Sequence, residues 1–296
     1  MSELTKKFRL LKSEKDPKFN IDNLEYYNLL LQVGFSDFQL CVTDSRENII
    51  LLLEDYVMAG VTNQIERVEC LKGIFDNHHL LLAGFWNKVK VLVKNRKFAL
   101  VPSKVFLKDN IIDYLKINAR LEDDSETFFY KQHKSLSLVN VFSIDSRVVS
   151  FIKKTYPTLE IDFHHQSSAF IHGFEKHIDG RLSSFLCMNL DRFSLQLLLI
   201  KNGQFKYYNQ FPIKEFNDYL KFIGMVVREF RLDIIKDQFY IWGYLGEKSN
   251  HFNQLQNKFP NLLFGKRPPN LKFGYVFDEI PEHQYFDLLS FNLLSK

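Results

Sequence analysis

Short apolar runs bounded by polar turns alternate along this chain with stretches whose apolar residues fall three and four apart. The first rhythm predicts strands and the second helices. In the first half, "FQLCVTD" (Phe38 to Asp44) and "NIILLLEDYVM" read as consecutive strands around the polar turn "DSRE". "NQIERVECLKGIFDNHHLL" follows as a helix on Ile65, Val68, Leu71 or Lys72, and Phe75. "KVKVLVKNRKFALVP" predicts two strands around a Lys-Asn-Arg turn, closed by Pro102, and "KDNIIDYLKINARL" a short helix with Ile111, Ile112, Leu115 and Leu121 inward. "EDDSETFFYKQHKS" is polar and turn-rich in its first half. "LSLVNVFSI" is strand-like, "SRVVSFIKKTY" is a helix stopped by Pro157, and "TLEID" is a short strand. The charged first twenty residues, broken by Pro17, read as a loose arm or as an edge strand around Lys7 to Leu11.

The second half repeats the rhythm. "SSAFIHGFEKHI" predicts a helix with Ser167 or Ser168 near its start. "SFLCMNLDRFSLQLLLIKNGQFKYYNQFPI" predicts three strands, the last two joined at Asn202-Gly203, a strong hairpin signal. "KEFNDYLKFIGMVVREFRLD" carries the clearest apolar stripe: Phe216, Tyr219 or Leu220, Ile223, Val226 or Val227, and Phe230. "DQFYIWGYL" is a strand, and "KSNHFNQLQNKFP" a helix on Phe252, Leu255 and Phe259. "PEHQYFDLLSFNLL" predicts a closing helix opened by Pro281. Each half opens on consecutive strands and then alternates, which predicts an α/β protein with mixed sheets. Without G-x-G-x-x-G, it is not a dinucleotide-binding Rossmann domain.

Composition narrows the class. The chain has 296 residues, 46% of them hydrophobic, enough for two domains of ordinary size. The net charge of +4 is spread along the chain, and the 30 Phe form no stripe with basic neighbours, so no nucleic acid is expected as a partner. Three cysteines, Cys41, Cys70 and Cys187, form no C-x-x-C pair, which points to a reducing compartment. The first residues contain no apolar run of signal-peptide length and no segment approaches a membrane span, so the expectation is a cytoplasmic protein.

"FQLCVTDSRENIILLLEDY" resembles "SFLCMNLDRFSLQLLLIKNG". Leu40-Cys41 aligns with Leu186-Cys187, and Asp44 with Asp191 after a one-residue insertion. This implies a duplicated domain, 1–160 and 161–296, with a C-terminal helix 281–296 that could pack back on the first. Two domains that each open on strand, Asp and strand resemble the actin-like ATPase superfamily, which includes actin, sugar kinases, heat-shock chaperone ATPases and pilus-assembly ATPases. More narrowly, "FSDFQLCVTD", "KFALVPSKVF", "SLVNVFSID", "FHHQSSAFIHGF", "FYIWGYLG" and "PEHQYFDLLSF" resemble an uncharacterised bacterial family, a domain of unknown function, assigned that fold. The implied fold class is a duplicated actin-like (ribonuclease H-like) α/β fold with mixed sheets.

In active members of that superfamily the first hairpin of each domain holds phosphate. An Asp there positions a hydrated metal, neighbouring glycines admit the phosphates, and paired glycines on a later strand accommodate adenosine. Here Asp44 is followed by Ser45, Arg46 and Glu47, and Asp191 by Arg192 and Phe193. Gly243 matches one adenosine glycine, with Tyr244 in place of the other. Asp44, Asp191, Arg192 and Gly243 are therefore the candidate cofactor-binding residues, and they form a degenerate site in a chain with only 12 glycines. The resemblance implies a non-catalytic interaction or scaffold protein without a cofactor. Its partner would be another protein, in a peripheral, envelope-associated assembly. The alternative is an ATP-binding switch or ATPase that uses ATP with Mg in the cleft between its domains.

Other candidates weigh less. Asp162, His164, His165, His172 and His177 cluster in sequence but lack a zinc spacing, with His165 and His172 two turns apart on one helix side. His78 and His79 would point apart in any regular element. Glu66 and Glu69 could share a helix side, and Ser150-x-x-Lys153 lacks its companion motifs. Cys187 should be buried and inert. Lys88, Lys90 and Lys94 would line one face of a hairpin, as an anion patch or, more simply, as protection against edge pairing. "GKRPPN" is a small basic loop.

Overall fold

A computed structural model describes residues 7–121, 125–175, 184–292 and 294. In chain order the elements are β1 (Phe8–Lys15), β2 (Tyr27–Val33), β3 (Asp37–Asp44), β4 (Ile49–Met58), α1 (Gln64–Asn77), β5 (Lys88–Val93), β6 (Phe98–Pro102), α2 (Ile111–Asn118), β7 (Glu126–His133), β8 (Leu138–Asp145), α3 (Ser146–Thr155), β9 (Ile161–His165) and α4 (Gln166–Glu175). They continue with β10 (Phe185–Leu190), β11 (Ser194–Lys201), β12 (Gln204–Pro212), α5 (Phe216–Glu229), β13 (Gln238–Gly243), α6 (Asn250–Lys258), β14 (Leu262–Phe264), β15 (Lys272–Phe273) and α7 (Phe286–Asn292). The chain forms two compact units. The first runs to Phe170 and adds Asn270–Glu279 and the segment from Ser290. The second comprises Ile171–Pro269 and Ile280–Leu289.

The first unit is built on a sheet of order β1-β4-β3-β2-β5-β9, with β15 also pairing β4. Its inner strands β3 and β4 are mostly buried, as strands covered on both faces are; every residue of β3 is buried. The N-terminal arm forms β1 as an edge strand antiparallel to β4, with a register shift between Leu10 and Lys12. α1 starts at Asn63, whose side chain accepts from the Glu66 N–H. α1 and α3 meet through Phe75 and Phe151, rings 5.0 Å apart and edge-on. A second, three-stranded sheet, β6-β8-β7, packs Ala99, Val101, Val139 and Val141 on Ile111 and Leu115 of α2.

Among the described residues the second unit has one sheet, β12-β11-β10-β13-β14. Asn202 and Gly203 both take positive φ, 54° and 68°, as the tight β11–β12 turn requires. Leu186, Met188, Phe239 and Ile241 point to one face, where Ile223 and Val226 of α5 and Leu255 of α6 complete the core. α5 begins where the Asp218 carboxylate accepts from the backbone N–H groups of Lys214 and Glu215.

Five of the elements differ from the sequence pattern. β2, "YNLLLQV", lies inside the sheet, and its short apolar run Leu29–Leu31 carries no alternation to mark it. β7 lies in a stretch that reads as polar, since most of its residues are only half buried. β5 and β6 are not a hairpin: β5 runs parallel between β2 and β9, while β6 joins the other sheet. α7 starts at Phe286 rather than at Pro281, and Tyr285 before it takes φ 59°.

The two units share one strand plan. In each, three antiparallel strands lead into strands parallel to the first, giving β4-β3-β2-β5-β9 and β12-β11-β10-β13-β14. The first strand is thus β2 in one unit and β10 in the other. The aligned segments "LCVTD" and "LCMNLD" fall on β3 and β10, a second strand and a first one. The strand plan recurs, but the sequence match is displaced from it by one strand.

Candidate functional site

In α/β sheets, ligand sites lie beyond the carboxyl ends of the parallel strands. In the first unit that edge is marked by the register Val33, Val93 and His165. The first hairpin there is β2–β3, and its turn is Gly34-Phe35-Ser36, closed by Gly34 N–H to Asp37 O at 2.9 Å. Asp44 is not in it. It ends β3, opposite Tyr27 at the start of β2, so it sits at the far edge of the sheet.

The Asp44 turn is self-contained. Arg46 donates its backbone N–H and its Nε to Asp44 Oδ1 (2.8 and 3.1 Å) and its Nη2 to Oδ2 (2.6 Å). The guanidinium also lies 4.2 Å over the Tyr26 ring. The Arg46 hydrogen bond holds the Asp44 carboxyl below its usual range. Asp145 and Arg147 repeat the same fork at the start of α3 (2.9, 2.9 and 2.6 Å). Both Asp-x-Arg units close turns, with the carboxylate satisfied from inside the chain.

The Gly34 turn holds the residues that the sequence reading missed. A Cβ on Gly34 would lie 1.7 Å from Asp37 Oδ1, so the open side of the glycine is filled by a carboxylate. The other carboxylate oxygen of Asp37 pairs with Lys94 Nζ, and both residues are buried. Lys94 N–H and Arg67 Nη2 both donate to Val33 O (2.9 and 3.3 Å). Burial depresses the Arg67 guanidinium to about 10, against the pull of Asp145, Asp37 and Glu126. A phosphate approaching this glycine would meet a carboxylate, and the nearby lysine already has its counter-ion. The signal available in the sequence was "VGFSD", a glycine turn followed by an acid.

In the second unit the candidates do converge. Leu190 and Gly243 are register partners at the carboxyl ends of β10 and β13, and Asp191, Arg192 and Tyr244 follow them. Gly243 has φ 102°, and a Cβ there would lie 2.1 Å from Leu190 O. Glycine is thus required by the close approach of two strand ends, which Tyr244 N–H to Leu190 O (2.8 Å) and Gly243 N–H to His283 O (2.8 Å) fix. Asp191 Oδ1 accepts from the Arg192 N–H at 2.8 Å, and Tyr219 Oη donates to Asp191 O at 2.8 Å. The Arg192 guanidinium stacks 4.0 Å over the Tyr244 ring. Phe193 does not crowd the turn; its ring points outward and is 45% exposed.

The remaining candidates resolve into structural parts. His165 ends β9 instead of sharing a helix side with His172. Its Nε2 lies 2.9 Å from Asn95 O, a pure acceptor, so the proton is on Nε2 and Nδ1 accepts from the Ser167 hydroxyl at 2.6 Å. Ser167 Oγ accepts in turn from Asn140 Nδ2 (2.7 Å). Burial drives the His165 pKa down to about 3. His177 lies outside the described residues. His78 and His79 do not point apart: they follow α1, where no helix periodicity separates them, and their rings stack 5.1 Å apart. Glu66 caps α1 by accepting from Thr62, and Glu69 pairs with Lys72 at 2.6 Å. Ser150 and Lys153 are exposed on α3. Lys90 is buried and donates to the Leu294 and Asn292 carbonyls (2.7 and 3.4 Å), and burial lowers its pKa to about 8. With Lys94 paired to Asp37, the expected basic face does not exist. Cys187 is buried, and burial pushes its thiol well up. Among the described residues no group of three or more His, Cys, Asp or Glu could hold a metal ion, and no helix is long and apolar enough to cross a membrane.

This architecture is that of the actin-like ATPase fold. The chain is similar over 94% of its length to a Bacteroides thetaiotaomicron VPI-5482 protein with actin-like ATPase fold and unknown function (16% identity, TM-score 0.78, 99% of that chain). It is similar over 91% of its length to a chain of the PilM-PilN type IV pilus biogenesis complex (12% identity, TM-score 0.64, 99% of that chain). Residues 16–262 match the model of the family described as "Protein of unknown function (DUF3822)", and the chain belongs to that family. No curated protein matches it.

Proposed function

We propose that this protein is a non-catalytic scaffold or adaptor on an actin-like ATPase fold, and that it works by binding another protein. The observation that carries this reading is the Gly34 turn, where the Asp37 carboxylate fills the side of the glycine that a phosphate would need. The second unit supports it, since Arg192 is stacked on Tyr244 and Gly243 is taken up by strand packing. The similarity to a chain of the PilM-PilN complex favours a role in a peripheral, envelope-associated assembly, with a protein partner instead of a nucleotide as the ligand.

Isothermal titration of the full chain with Mg-ATP and Mg-ADP tests this. The expected outcome is no saturable heat at any concentration up to millimolar. Stoichiometric micromolar binding overturns the scaffold reading in favour of an ATP-binding switch.

A further inference from the structure

The face of β10 and β13 turned away from the α5–α6 core is aromatic. Alternation along the pleat puts Phe185 and Cys187 on it from β10, and Tyr240 and Trp242 from β13. The rings form a ladder: Phe185 to Tyr240 (6.1 Å), Tyr240 to Trp242 (6.0 Å), and Trp242 to Phe174 of α4 and Phe286 of α7 (4.9 Å each). A cavity of about 760 Å³ opens against this ladder. It reaches the starts of β10 and β13, at Phe185 and Gln238, whereas Asp191 and Gly243 lie at the other ends of those strands.

Its far wall is the basic loop that begins at Gly265, and that wall is fixed in place. Gly265 N–H donates to Ile241 O (2.8 Å), Trp242 Nε1 to Lys266 O (3.0 Å), and Arg267 Nη2 to Ile280 O (2.5 Å). A Cβ at Gly265 would fall 1.7 Å from the Trp242 indole, so the loop backbone lies directly on that ring. Pro268 and Pro269 stiffen the rest. Because the wall is held before any ligand arrives, binding loses little to ordering it.

Among the described lining residues Lys266 supplies a cation and none supplies a carboxylate, while Arg267 is held by Ile280. Lys266 is exposed at the rim. The volume falls in the range of small-molecule sites, about 300–1,000 Å³. An aromatic floor favours a flat apolar body by stacking, and a cationic rim favours an acidic group on the same molecule. We propose that this cavity is a binding site for a small amphipathic anion. Its flat apolar body lies on Tyr240, which Trp242 backs, and its carboxylate, sulfonate or phosphate reaches Lys266. The site is independent of the nucleotide question and stands or falls separately from the scaffold reading.

The test uses the full chain and two probes with one aromatic skeleton: anionic 8-anilinonaphthalene-1-sulfonate and uncharged N-phenyl-1-naphthylamine. Both are expected to bind saturably at one site, with a fluorescence rise. Lys266→Glu, an exposed change that leaves the fold intact, is expected to weaken the sulfonate probe about tenfold and leave the uncharged probe unchanged. Tyr240→Ala, checked for an unchanged far-UV spectrum, is expected to weaken both. Non-saturable binding overturns the proposal, as does an equal response of the two probes to Lys266→Glu or no response of either.

Discussion

The first hairpins of the two units have the same strand plan and opposite means of closing the turn. In the first unit the β2–β3 turn is closed from within, by Asp37 and Lys94, both buried. In the second the β10–β11 turn is closed at the surface, by Arg192 lying on Tyr244 with Phe193 outside. The physical consequences of the two closures differ. A buried ion pair is costly to break because either partner left alone is a charge without water. A half-exposed cation–π stack returns to solvent at little cost. The first edge has therefore become part of the protein's structural core, while the second keeps its polar groups near the surface.

The largest test of that contrast is Lys94→Met. It leaves the Asp37 carboxylate buried, and urea unfolding is expected to show a loss of about 3–5 kcal/mol. Changing both partners, Asp37→Leu with Lys94→Met, should recover most of it. If the single change costs under about 1 kcal/mol, the first turn is no more closed than the second.

A pH series gives an effect of similar size, spread over several pH units. His165, at the same edge, has a folded pKa of about 3, well below the usual value near 6.5. The unfolded chain binds this proton first, so stability is complete above about pH 6.5 and falls as the pH drops toward 3. The slope is at most about 1.4 kcal/mol per pH unit. His165→Gln should flatten the stability curve in that window, and an unchanged slope assigns the acid sensitivity elsewhere.

The smallest effect belongs to the second unit. Arg192→Ala is expected to cost about 1 kcal/mol or less in the same unfolding measurement. A loss as large as that of Lys94→Met would erase the distinction between the two turns.

Much of the fold was legible from pattern alone. The three-strand opening of the second unit, its Asn202-Gly203 turn, and the helices α1, α3, α5 and α6 all follow from periodicity and turn chemistry. What failed was the central strand β2, whose sides are both buried, so no alternation distinguishes it from any other apolar run. That omission displaced the internal repeat by one strand and placed the first hairpin at Asp44 instead of at the Gly34 turn. Lys90 and Lys94 were misread for a related reason: a lysine reads as surface until the partners that bury it are known. Their partners, the Leu294 carbonyl and Asp37, are 204 and 57 residues away.

By itself, the sequence determined the class of fold, the double plan, and the shortage of glycine around Asp44 and Asp191. Those are local properties, carried by residue type and short-range spacing. Only the tertiary structure decided which turn was the first hairpin of each unit, why Gly243 must be glycine, and that a carboxylate fills the open side of Gly34. Each of these depends on strands that meet in space from distant parts of the chain, and short-range spacing carries no record of such meetings.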